Sequence, residues 1–252
     1  MRRRFSTDDI LMEDEEILVV RKHAGMAVQS ARPGQMDLEH ELYNYLAQEQ
    51  PAGGRRLPYL AVIHRLDQPV QGILVFGKTP KAAAKLNQAL QADRMQKYYL
   101  AVVEGKPECA KGTLIDYLKK DGKRNMSEVT EKNSPGAKRA ELSYRILETV
   151  RDQESGAARS LLQIKLKTGR HHQIRVQMAH AGMPLCGDSK YSPLIEDRQN
   201  GAKVSEREDG LALCAYRLAL PHPRTGQVLE FQVSPEGKLF QGFCVPKVRK
   251  KS

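Results

Sequence analysis

This sequence predicts an α+β fold, and three observations carry the prediction. Apolar residues alternate with polar ones along several short runs, the pattern of half-buried antiparallel strands. Two other segments place apolar residues at helical spacing behind residues that cap helices. Finally, no internal repeat and no flexible linker divides the 252 residues. The expectation is a single α+β domain over residues 10–245, built on a mixed, mostly antiparallel central sheet flanked by helices and loops. Short basic tails lie at 1–9 and 246–252.

The elements follow in chain order. Residues 10–12 and 17–20 flank the acidic turn Glu13-Asp14-Glu15-Glu16 and read as a strand pair. Leu38, Leu42, Tyr45 and Leu46 recur at helical spacing, with Asp37 placed to cap them. Residues 51–58 form a loop of Gly, Pro and Arg. An apolar run at 59–63 precedes His64-Arg65-Leu66-Asp67, and 72–77 reads as a buried strand. Thr79-Pro80 opens a helix rich in alanine and leucine that runs to Gln91, since proline is preorganised for the first helical position. Residues 97–104 are again strand-like.

A polar stretch at 119–138, holding the turn formers Asp121-Gly122 and Pro135-Gly136, separates the two halves. Beyond it, Leu142, Tyr144 and Ile146 alternate with polar residues, as do Leu162, Ile164 and Leu166. These are strands with one wet, basic face. Residues 171–181 have helical character and stop at Gly182. Residues 189–210 read as a surface excursion. A last strand pair, 211–220 and 228–233, is joined across Pro223-Arg224-Thr225-Gly226.

Composition narrows the class of function. Charged residues make up 28% of the chain and the formal net charge is +11, so a polyanionic partner is favoured over a small neutral one. Basic residues also cluster, at Arg2 to Arg4, at Lys119-Lys120 with Lys123-Arg124, at Lys165 and Lys167 with Arg170 and Arg175, and at 247–251. Nucleic acid is the leading partner. No apolar stretch approaches the roughly 18 residues of a membrane span, so no membrane partner is expected. The N-terminus lacks the apolar segment of a signal peptide, so a cytoplasmic location is expected. Cys109, Cys186, Cys214 and Cys244 are widely spaced without a CxxC pair, so neither a disulfide framework nor a zinc site is expected.

Three constellations could do chemistry. Asp67 lies beside Arg65 in a short turn between two apolar strands, a place where chains mount functional groups. An aspartate paired with an arginine stays ionised at neutral pH, which makes it a poor general acid. It serves better as a nucleophile or an electrostatic stabiliser. Leu166-Lys167-Thr168-Gly169-Arg170-His171-His172-Gln173-Ile174-Arg175 leads a basic strand through a turn into a helix start. Backbone N–H groups exposed there, with Arg170, would suit a phosphate. Adjacent histidines do not share a helix face, so no metal is expected at His171 and His172. A structural hydrogen bond or a phosphate contact is the expectation for His172. In Lys97-Tyr98-Tyr99 only one tyrosine can face a cleft, because successive strand residues point to opposite faces. A flat ring with a hydroxyl suits a planar base.

Together these residues resemble a known family. Residues 17–28, 64–78, 96–105 and 166–191 look like the successive motifs of RluA-type RNA pseudouridine synthases. The resemblance runs in order from about Leu11 to Val233. HRLD alone is a weak signal. With Gly72, Lys97-Tyr98-Tyr99, Thr168-Gly169-Arg170, His172-Gln173-Ile174-Arg175 and Gly187-Asp188 behind it, the pattern is specific.

The resemblance implies a pseudouridine-synthase-like domain that isomerises uridine within an RNA chain without cofactor or metal. It implies that Asp67 is the catalytic aspartate, and that Tyr99 stacks near the uracil and helps remove its C5 proton. Arg175 would form an ion pair with the aspartate, and Arg65 would enter the RNA helix where the uridine leaves. His64, Arg65, Lys165, Lys167, Arg170 and His172 are the candidates to contact RNA, either ribosomal or transfer RNA. Val70-Gln71 and His171 depart from the commoner family pattern, outside the aspartate, tyrosine and arginine. The chain begins almost at the first catalytic motif, so the expectation is a member without the N-terminal S4 domain of some relatives, and a monomer.

Three rivals fit less well. A catalytically inactive RNA-binding protein of the same fold should have lost one of Asp67, Tyr99 and Arg175. A kinase would need a Gly-rich phosphate loop and a metal-binding Asp-Phe-Gly, and has neither here. A basic ribosomal protein would explain the charge but not the ordered motifs.

Overall fold

A computed structural model describes residues 4–30, 34, 36–49, 57–151, 156–192 and 210–246, and every structural statement below concerns these. The basic runs at 2–3 and 247–251, most of the 51–58 loop and most of the 189–210 excursion lie outside them. In chain order the elements are β1 (Ile10–Glu13), β2 (Ile17–Lys22), α1 (Leu38–Gln48), β3 (Ala61–Val62), β4 (Gln71–Gly77) and α2 (Pro80–Gln91). There follow β5 (Gln96–Glu104), β6 (Lys111–Asp121), β7 (Met126–Thr130), β8 (Lys138–Arg151), β9 (Ala158–Leu166), α3 (Gln173–His180), β10 (Leu213–Pro221) and β11 (Val228–Gln232). The α+β class stands, and every strand pairing with a described register is antiparallel.

By its contacts the chain divides into two compact units. One holds the described residues of Met1–Gln96 and Ala215–Val233, the other those of Lys97–Cys214 and Ser234–Val248. Two of the boundaries, after Gln96 and after Cys214, fall inside strands β5 and β10.

In the first unit β4 is the central strand. β2 pairs along its length, and β3 pairs with Gly77 and Phe76 on the opposite side. All seven residues of β4 are buried, as a strand covered on both faces requires. The expected apolar strand at 59–63 shortens to two residues, so residues 63–70 are free to turn. Both helices begin where the caps predict. Asp37 accepts a hydrogen bond from the His40 N–H (3.0 Å), and Thr79 accepts one from Ala82 (3.0 Å) with Pro80 at the first helical position. Helix α1 buries Leu38, Leu42 and Leu46, one apolar stripe at helical spacing.

In the second unit the strands are ordered β5-β9-β8-β6-β7, so β5 and β9, its first and last strands in sequence, lie side by side. Here one expectation fails. The polar stretch at 119–138 does not separate two halves, because its first residues end β6 and its middle forms β7. Asp121 Oδ1 closes the hairpin turn by accepting from the Lys123 (2.9 Å) and Arg124 (3.1 Å) amides. Strand β6 was hidden because its apolar residues Leu114, Ile115, Tyr117 and Leu118 do not alternate, and Ile115 lies exposed. Turns did fall at Asp121-Gly122 and Pro135-Gly136, where local chemistry decides.

Beyond α3 the chain runs back beside β5. Val103 and Leu185 form an antiparallel bridge, and the Cys186 amide donates to the Val102 carbonyl (2.9 Å). Gly187 follows with φ +73°, and a Cβ there would sit 1.9 Å from the Gly210 carbonyl oxygen. Only glycine lets the chain turn at that point and deliver Asp188 to the interior.

Candidate active site

In the first unit Asp67 stands on the turn after β3. Its carbonyl accepts from the Val70 amide (2.9 Å), which closes the turn one residue before β4 begins. The side chain is half-buried, His64 likewise, and Arg65 is exposed. A second loop, residues 23–26, braces this turn. The Gln68 carbonyl accepts from the Gly25 amide (2.8 Å), and Gln68 Nε2 donates back to the Gly25 carbonyl (3.0 Å). Gly72, at φ +132°, is the second residue of β4. A Cβ on it would lie 2.4 Å from the Ala215 carbonyl oxygen, so β10 can pack there only against a bare backbone.

Beneath the turn lies a residue that motif reading passed over. Lys22 is 0% exposed at the end of β2. Its Nζ donates to three backbone carbonyls, those of Met26 (2.7 Å), His23 (3.1 Å) and Gln68 (3.1 Å). Burial pulls its pKa down to about 7, against which the Asp67 charge acts in the opposite direction. The signal available in the sequence was a lysine two residues beyond the run Ile17-Leu18-Val19-Val20, all fully buried.

The second unit carries the aromatic and basic candidates. Strand β5 pairs with β9 so that Tyr98 faces Lys165 across the ladder and Tyr99 faces Ile164. The pleat sends the two tyrosines to opposite faces. Tyr98 takes the Lys165 ammonium over its ring at 5.7 Å, and Tyr99 is 6% exposed.

Helix α3 starts later than expected, because His172 adopts a left-handed backbone (φ 53°, ψ 24°). Its first turn is buried, with Gln173, Ile174 and Arg175 at 3%, 4% and 3% exposure, and the Gln173 amide already donates to the Arg170 carbonyl. The expected phosphate site on exposed N–H groups is therefore not formed at this helix start. Arg170 itself is exposed, and its Nε donates to the Arg139 carbonyl (2.9 Å). Lys167 reaches Glu141 at 3.3 Å, and Glu141 also holds Arg139 at 2.5 Å. Arg139, then Lys167, keep that carboxyl below the usual carboxylate range.

Buried amides lock the helix in place. Gln173 Oε1 accepts from Thr168 Oγ1 (2.8 Å) and the Arg170 amide (3.0 Å), while its Nε2 donates to Glu141 O (3.1 Å) and Gln177 Oε1 (2.9 Å). Gln177 in turn donates to Asp116 (2.7 Å) on β6. Every polar atom of Gln173 is used, so the network fixes one rotation of the helix.

That rotation aims Arg175 at Asp188. Arg175 Nε donates to Oδ2 (2.8 Å) and Nη2 to Oδ1 (2.7 Å), a two-point ion pair with both side chains buried. The guanidinium also lies 5.3 Å from the Tyr191 ring centre. His172 Nδ1 and the Tyr191 hydroxyl form a hydrogen-bonded pair at 2.8 Å, and that hydroxyl accepts from the Ser127 amide (2.8 Å). Burial first, then the Arg175 charge, push the His172 pKa down to about 3. His172 is neutral at physiological pH and has the structural bond rather than a charge to offer a phosphate. Gln173, Gln177, Asp188 and Tyr191 supply the supporting shell to which motif reading assigned no role.

The fold is shared with solved pseudouridylate synthase domains. Human RNA pseudouridylate synthase domain containing 4 superposes with a TM-score of 0.69 at 22% identity, covering 90% of this chain and 88% of that one. Human RNA pseudouridylate synthase domain containing 1 gives 0.69 at 21% identity, over 93% and 86%. In sequence, the family model described as RNA pseudouridylate synthase matches residues 16–180, and the chain belongs to that family. Among its relatives are an uncharacterized RNA pseudouridine synthase of Bacillus subtilis, 33% identical over 88% of this chain and 66% of its own length. Ribosomal large subunit pseudouridine synthase D of Nitrosomonas europaea is 34% identical over 87% and 60%. The chain thus spans about two thirds, or somewhat less, of the length of these two relatives. No helix among the described residues is long and apolar enough to cross a membrane.

Proposed function

We propose that this protein is an RNA pseudouridine synthase, acting in the cytoplasm on uridine in ribosomal RNA, with Asp67 as its catalytic carboxylate. The observation that carries the reading is the half-exposed Asp67 on a braced turn inside the family match at 16–180. Relatives named for the large ribosomal subunit favour ribosomal over transfer RNA.

The target uridine must leave its stack, at a cost of about a few kcal/mol, and a pocket with an aromatic wall offsets that cost. In one route the Asp67 carboxylate bonds to the ribose C1′ and the C1′–N1 bond breaks, releasing uracil as an anion. In the other it removes the C2′ proton and a glycal forms as uracil leaves. Either way uracil turns and C5 bonds to C1′; in the first route the Asp67–C1′ bond breaks and frees the carboxylate, and in the second Asp67 returns its proton to C2′. The C5 proton then departs and N1 ends protonated. Tyr99 is the proposed wall of the pocket and the aid to C5 deprotonation. Arg175, held by Asp188, is the proposed guanidinium partner of Asp67. Arg65 and His64 on the turn, and Lys165, Lys167 and Arg170 in the second unit, are the proposed RNA contacts.

An inactive RNA-binding protein of the same fold is disfavoured by the presence of Asp67, Tyr99 and Arg175 together. Nucleotide-resolution pseudouridine mapping of total RNA, with and without the gene, tests the proposal. One or more ribosomal sites should vanish and return with the wild-type gene but not with Asp67→Asn. Loss of a transfer-RNA site instead would move the substrate, and restoration by Asp67→Asn would refute the catalytic assignment.

A further inference from the structure

The second unit carries a group of basic side chains on the sheet face that Tyr99 does not occupy. Tyr98 stands opposite Lys165, Lys165 opposite Ser143, and Ser143 opposite Thr113, one row across β5, β9, β8 and β6. Two residues along, Gln163, Arg145 and Lys111 form the next row. Cross-strand partners share a face, and alternation sends Tyr99, Ile164 and Tyr144 to the other one. The side chains agree with the register. Lys165 lies over the Tyr98 ring, and Arg145 Nε donates to Gln163 Oε1 (2.8 Å).

This face is wet and its charge is not balanced. Lys111 and Arg145 are exposed, and Lys165 is half-buried. The carboxylate on the same face, Glu141, is already shared by Arg139 and Lys167. Among the described residues no carboxylate pairs with Lys111, Arg145 or Lys165. Lys111 and Arg145 are moreover direct cross-strand partners, and like charges so placed destabilise a sheet. An anion between them would relieve that repulsion. Strands lie about 4.8 Å apart, so Lys165, Arg145 and Lys111 step across about 10 Å of sheet, within reach of one polyanionic strand. Ile115, opposite Glu141, is 54% exposed and offers an apolar surface beside the cations. Cations interleaved with apolar and aromatic side chains suit a chain that has both phosphates and flat bases.

We propose that this face of the second unit is a second RNA-docking surface, in which Lys111, Arg145 and Lys165 hold a segment of the RNA other than the one that carries the target uridine. The proposal deepens the functional reading above and rests on it for the role of Tyr99. A strand bound beside Tyr99 cannot also lie behind it, so the bound RNA must extend past the sheet edge to reach both faces.

Two measurements test it, and neither needs catalysis. Lysine acylation of the whole protein is mapped by mass spectrometry with and without deproteinised large-subunit ribosomal RNA. Lys111 and Lys165 should lose most of their reactivity in the complex. Protection of Lys97, on the Tyr99 face, without Lys111 or Lys165 would overturn the proposal while leaving the functional reading intact. Equal protection by polyglutamate at the same charge concentration would also overturn it, since any polyanion would then serve. The second arm measures affinity for the same RNA across a salt series. Lys111→Ala/Arg145→Ala/Lys165→Ala should bind about tenfold more weakly, with the slope of log affinity against log salt reduced by about two. The matched variant Lys81→Ala/Arg94→Ala/Lys106→Ala removes as many exposed charges elsewhere. Equal losses in the two variants would overturn the proposal.

Discussion

Arg175 and Asp188 meet at two points inside the second unit, Nε to Oδ2 at 2.8 Å and Nη2 to Oδ1 at 2.7 Å, with neither side chain open to solvent. The carboxylate oxygen Oδ1 also accepts from the Lys190 (2.9 Å) and Tyr191 (3.2 Å) amides. One acid therefore orients the arginine and folds the chain that follows it. Removing one partner of such a pair strands a buried charge, which costs about 3–5 kcal/mol. Asp188→Asn should lower the melting temperature by roughly 10 °C for a chain of this size. A melting temperature within two or so degrees of wild type would show that the pair bears no such burden.

Gly72 gives a test of backbone packing. Gly72→Ala forces a Cβ to within 2.4 Å of the Ala215 carbonyl at φ +132°, a conformation that L residues avoid. The expected loss is about 3 kcal/mol or more, from overpacking and strain together. Gly136→Ala is the control, since it also has positive φ (+82°) but open space around it, and it should cost only about 1 kcal/mol. Equal losses in urea unfolding would remove the steric argument.

His172 makes stability depend on acid. Its folded pKa, about 3, lies below the unfolded value near 6.5, so the unfolded chain binds the proton more readily between those limits. Stability is complete above about pH 6.5 and declines as pH falls toward 3, by an amount on the order of a few kcal/mol. His172→Asn tolerates the left-handed backbone and abolishes this titration. Unfolding free energy measured from pH 7 to pH 4 should fall less steeply in that variant than in wild type, and parallel curves would exclude His172 as the source.

Tyr99→Phe keeps the ring and deletes the hydroxyl. If that hydroxyl assists removal of the C5 proton, pseudouridine formation should drop by about 10²-fold while RNA affinity holds. Tyr98→Phe, on the opposite face of β5, should leave turnover near wild type. The reverse ranking of the two variants would mean that the wrong tyrosine has been assigned to the cleft.

Much of the frame was legible because it rests on local rules. Asp37 and Thr79-Pro80 start helices by satisfying nearby N–H groups, and Gly182 ends one at φ +72°, all within a few residues of sequence. The alternating runs in β8 and β9 showed themselves because each buries one face. Strand β6 did not, since only Leu118 among its apolar residues is buried and period-two reading needs a covered face. The start of α3 slipped by two residues because His172 takes a left-handed backbone that no propensity signals.

What the amino-acid order determined alone was the α+β class, the positions of most elements and the family to which the motifs belong. Side-chain type and short spacing are enough for those. Only the folded chain decided that the start of α3 is closed, that Asp188 holds Arg175, and that Lys22 sits in a cage of carbonyls beside the Asp67 turn. Each joins residues far apart in sequence or turns on burial. A carbonyl or carboxylate acquires its partner only when the surrounding chain has removed the water that would otherwise serve.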